Sequence, residues 1–110
     1  MNKTKYYANI NGEEKLVRTS KNEYHFFWRG RCSKTIEGCQ QEKNSRISQT
    51  QRMINYYNRV LTNEKELEKE SKHWRESTDE TARRYTEYLK SELKYLEEAK
   101  AEPIHELYTK

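Results

Sequence analysis

The hydrophobic period of this 110-residue chain changes once, between Gly30 and Thr35, and the change decides what each side of it can become. Before that point apolar and polar residues alternate every two positions; after it they recur at the spacing of a helix. Upstream, Tyr6, Ala8 and Ile10 share one face of an expected strand. Asn11-Gly12 follows, the dipeptide suited to the positive φ angles of a tight hairpin turn. Lys15 to Thr19 is the returning strand. Tyr24 to Arg29 makes a third, in which Tyr24, Phe26 and Trp28 alternate with His25, Phe27 and Arg29. The expectation is a three-stranded antiparallel meander over residues 5–29, inside a head of residues 1–33, with one face covered by a helix.

Downstream, residues 34–110 read as a long helical hairpin with a short tail. Ile36, Cys39, Ile47, Thr50, Ile54, Tyr57 and Leu61 fall in one sector at 100° per residue, which predicts a helix over 34–62, about 40 Å long. Thr62-Asn63 interrupts it, and Asn63 with Glu66 has the spacing of an N-cap and its reciprocal partner. A second stripe through Leu67, Ser71, Trp74, Thr78, Tyr85, Leu89, Leu96 and Ala99 stays in phase and predicts one helix over 64–101. Ser77 and Glu80 have capping-box spacing and mark a weak point or kink within it. Pro103 stops the helix, and Pro103 to Tyr108 reads as one further docked turn. The fold class is α+β: a three-stranded sheet packed on a helical hairpin.

Only 32% of residues are hydrophobic and 36% are charged, too few apolar groups for a large compact core. Nine Tyr, two Trp and two Phe nevertheless supply large burial units, and three Gly and one Pro leave little of the composition of disorder. The economical solution is a narrow apolar seam, completed by a second copy of the chain. A homodimer through the distal helix is expected, with Trp74, Tyr85 and Leu89 as association residues. The run Phe26-Phe27-Trp28 is far too short to span a bilayer, so no membrane partner is expected. Met1 to Lys5 has no apolar stretch behind it, so a secretory signal is not expected. Cys32 and Cys39 are accordingly expected as reduced thiols in a cytoplasm.

Charge divides the chain as sharply as period does. Residues 1–62 carry 12 Lys/Arg against 5 Asp/Glu, and residues 63–110 carry 10 against 13. Arg18, Lys21, Arg29, Arg31 and Lys34 lie near the aromatics Tyr7, His25 and Phe27, a pattern able to hold phosphates and stack on bases. Arg52 and Arg59 line the outer face of the first predicted helix. Arg18, Lys21, Arg29, Arg31, Arg52 and Arg59 are the candidate partner- or nucleic-acid-binding residues; solvation of a half-buried surface is the plainer account of each. Glu64, Glu66, Glu68, Glu70 and Glu76 interleave with Lys65, Lys69, Lys72 and Arg75, as in pairs such as Glu68–Lys72. This is ordinary support for an exposed helix and argues against mimicry of a phosphate backbone.

Nothing in the chain has the spacing of a catalytic or metal motif. There is no Gly-x-Ser-x-Gly, no phosphate-cradling glycine loop and no His-Glu-x-x-His. A single Cys-x6-Cys with scattered His25, His73 and His105 lacks the paired short spacings of a zinc site. No enzyme, cofactor or metal is expected.

The stretch Tyr6-Tyr7-Ala8-Asn9-Ile10-Asn11-Gly12, followed by Leu16-Val17-Arg18-Thr19-Ser20 and Tyr24, resembles the openings of small accessory proteins of phages and other mobile elements. Size, basic balance and the strand-then-long-helix layout are similar to several anti-CRISPR inhibitors. The resemblance implies a stoichiometric inhibitor in a host cell, acting on a host protein or ribonucleoprotein complex that processes nucleic acid, an RNA-guided nuclease among them. It names no catalytic residue. The alternative is a direct DNA- or RNA-binding regulator.

Overall fold

The computed structural model describes residues 2–110, with eight elements: β1 Thr4–Ile10, β2 Glu13–Ser20, β3 Phe26–Trp28, β4 Arg31–Ser33, α1 Ile36–Thr62, α2 Glu64–Trp74, α3 Thr78–Ala101 and β5 His105–Glu106. Backbone contacts gather the chain into two compact units. Residues Met1–Ser45 and Glu102–Lys110 form the first, and Arg46–Ala101 the second. The fold is α+β, and its helices of 27, 11 and 24 residues hold 62 of the 110 positions.

The first unit contains two small antiparallel sheets rather than the expected three-stranded meander. β1 and β2 form one, with the Asn11-Gly12 turn at φ 55° and 80°, as the dipeptide requires. A bulge opens in β2, because Tyr6 pairs with Arg18 and Tyr7 with Leu16, leaving Val17 between them. The other sheet has the order β4-β3-β5. β3 turns at once into β4 through Arg29-Gly30, whose φ angles of 43° and 80° make a second two-residue hairpin where an end of strand was expected.

The tail, expected as one further docked turn, is the strand that links the two hairpins. His105 and Glu106 pair with Phe27 and Phe26, Leu107 N–H donates to His25 C=O at 2.8 Å, and Tyr7 and Tyr108 exchange both backbone bonds at 2.9 Å. β3 therefore joins the tail instead of β2. The core of this unit is Tyr6, Ala8, Trp28 and Cys39. Glu102 ties the return: its C=O accepts from Trp28 Nε1 at 3.1 Å and from Lys43 Nζ at 2.8 Å.

Thr35 begins α1, its Oγ1 accepting from Gly38 N–H at 3.0 Å. Cys39, Thr50 and Ile54 of the expected stripe are buried, whereas Ile36 is 49% exposed and Val60, outside the stripe, is fully buried. In the second unit the expected 64–101 helix is two helices. Asn63 caps α2 by accepting from Lys65 and Glu66 N–H. Arg75 then takes left-handed geometry at φ 55°, with its N–H on Lys72 C=O and that of Glu76 on Ser71 C=O. This is a Schellman termination with arginine where glycine is usual. Ser77 restarts the chain as α3, its Oγ accepting from Glu80 N–H at 3.1 Å. The capping signal at Ser77 prevails over the unbroken stripe.

Candidate functional site

The hairpin turns gather part of the basic set in the first unit. Arg18 reaches from β2 to the β3–β4 turn, where Nη2 donates to Gly30 C=O at 3.1 Å and the guanidinium lies 5.7 Å from the Tyr24 ring centroid. Arg31 leaves the same turn, half-exposed, with Nε 4.0 Å from Glu42. Lys21 is exposed in the turn that follows β2, where Ser20 Oγ accepts from Asn22 N–H. Arg29 does not join them. Its Nη1 contacts Glu102 Oε2 at 3.1 Å, and both side chains are largely covered. The two arginines that flank Gly30 are thus held by different carboxylates, and Arg29 is a tie within the fold.

Arg52 and Arg59 lie on the part of α1 that belongs to the second unit. Both are exposed and seven residues apart, so they share one helix face. Arg59 lies 5.4 Å from the centroid of Tyr56. Of the expected association residues, Trp74 is 43% exposed, Leu89 is half-buried and Tyr85 is buried. Tyr85 packs among Tyr56, Tyr57 and Tyr88 and is therefore occupied inside its own unit.

That tyrosine cluster surrounds a network that the sequence pattern did not single out. Glu70 accepts from Tyr56 OH at 2.7 Å on one oxygen and from Tyr85 OH at 2.9 Å on the other. The two hydroxyls hold its carboxyl below the ordinary range. Burial, with Glu70 adding to it, pushes the Tyr56 phenol well up. At the corner between α2 and α3, Arg84 meets Glu76 in a two-pronged pair, Nε to Oε1 at 3.0 Å and Nη2 to Oε2 at 3.1 Å. Thr81 Oγ1 donates to the same Oε1 at 3.1 Å. The arginine lowers the Glu76 carboxyl and is itself raised. The guanidinium also lies 4.4 Å from the Trp74 ring centroid, so one face of this exposed indole is already taken. The spacing Glu76-x7-Arg84 crosses the helix break, which is why no single-helix periodicity could reveal it.

Both buried-side carboxylates are saturated with donors and held ionised, the reverse of the raised carboxyl that a general acid needs. Cys32 and Cys39 are free thiols, each pushed up by burial. Among the described residues no three His, Cys, Asp or Glu converge on a point where a metal ion could sit, and no helix is long and apolar enough to cross a membrane. No protein-family model matches the chain, and neither a curated protein nor a solved structure does.

Proposed function

We propose that this chain is a non-enzymatic binding protein of the mobile-element kind that its N-terminal stretch resembles. It acts in the host cytoplasm by docking on a protein or ribonucleoprotein complex that processes nucleic acid, an RNA-guided nuclease being the leading case. The observation that carries this reading is the basic edge at Gly30. Arg18 is fixed there by a backbone carbonyl and an aromatic ring, with Arg31 leaving the same turn. A guanidinium already held in place loses less freedom on meeting a phosphate or carboxylate than one on a mobile surface.

A pull-down from host cells tests the reading with charge-matched variants. Lys21→Ala/Arg31→Ala removes two exposed charges from the head, and Lys65→Ala/Lys69→Ala removes two from α2. Loss of the partner only in the first supports the proposal; equal retention by both moves the contact off the head. The second reading, direct binding of DNA or RNA, draws on exposed Arg52 and Arg59 along one face of α1. Tight binding of the purified chain to naked nucleic acid, falling steeply with salt, would put that reading first.

A further inference from the structure

We draw no further inference here: the strongest candidate, the cavity of about 410 Å³ between α1 and α3 lined by Arg46, Met53, Glu92 and Tyr95, is an open helix face of the second unit, and nothing in the structure shows what covers it.

Discussion

The two units solve one shortage of apolar side chains in different ways. The first gathers distant pieces of chain by backbone pairing. Tyr7 bonds to Tyr108, Phe27 lies opposite His105, and one fully buried indole, Trp28, fills the space between. The second uses neighbouring helices and fills the seam with four packed tyrosine rings, two of whose hydroxyls share one carboxylate. In the first unit stability rests on a few irreplaceable contacts across the length of the sequence. In the second it is distributed over side-chain hydrogen bonds between neighbouring helices. Charge follows the folding and not the chain order. The first unit has ten basic and seven acidic residues and the second twelve and eleven, so the contrast of +7 against −3 along the sequence becomes +3 against +1.

The sharpest way to break this comparison is Trp28→Ala. Trp28 has no exposed surface, and its Nε1 donates to Glu102 C=O. Removing so large a side chain from a core this small should cost roughly 3–5 kcal/mol. Amide hydrogen exchange should then show β1, β3 and the tail losing protection while α3 keeps most of its own. Equal loss in α3 would mean that the units do not differ as argued. A smaller loss should follow from Tyr108→Pro, which removes the N–H that bonds Tyr7 C=O and costs about 2–3 kcal/mol. Tyr108→Ala removes the ring stacked on Tyr7 but keeps the donor. If urea midpoints for the two variants coincide, the ring and not the backbone joins the hairpins.

The second unit should answer to pH through the Glu70 network that ties its tyrosines together. Glu70 has a lowered carboxyl in the fold, so its contribution is present above the ordinary value of 4.5 and is lost as pH falls through the lowered native value. Tyr56 is raised, so its contribution is present below 10.0 and is lost as pH climbs through the higher native value. Tyr56→Phe should cost about 1–2 kcal/mol at neutral pH. It should also flatten both limbs of the stability profile, since Glu70 keeps only the Tyr85 hydroxyl. Thermal melts between about pH 2 and 11 check this. A profile with unchanged limbs would remove Glu70 from the account.

What the sequence made legible was local. Asn11-Gly12 declares a hairpin by its own backbone preferences, and Asn63 declares a cap. The Arg29-Gly30 turn has the same backbone angles but an arginine in the first position, so only its glycine was visible. β5 was invisible because two paired residues after a proline carry no alternation, and their partners lie some eighty positions away. The basic set was recognised by residue type, but the carboxylate that claims Arg29 could not be, since Glu102 arrives from the far end of the chain. The break at Arg75 was hidden for a geometric reason. Its three interrupting residues are close to one turn of 3.6, so the apolar stripe resumes in phase and periodicity cannot register the gap.

That break offers the smallest test, and one with an unusual sign. Arg75 holds φ 55° in a position where the Cβ of any L-residue is crowded by neighbouring backbone. Glycine avoids the crowding but has more freedom to lose on folding, which offsets part of the gain. The balance favours Arg75→Gly by roughly 0.5–1 kcal/mol, provided the Schellman bonds from Arg75 and Glu76 N–H persist. Arg75→Ala removes the same charge while keeping the Cβ, so it should give none of that gain. The Gly variant should therefore melt a few degrees above the Ala variant, with Ala near or below the parent. If the two melt together, left-handed strain is not what sets the end of α2. The turn would then owe its place to Ser77 and to the Glu76–Arg84 pair, and Glu76→Gln would be the variant that lets the two helices run together.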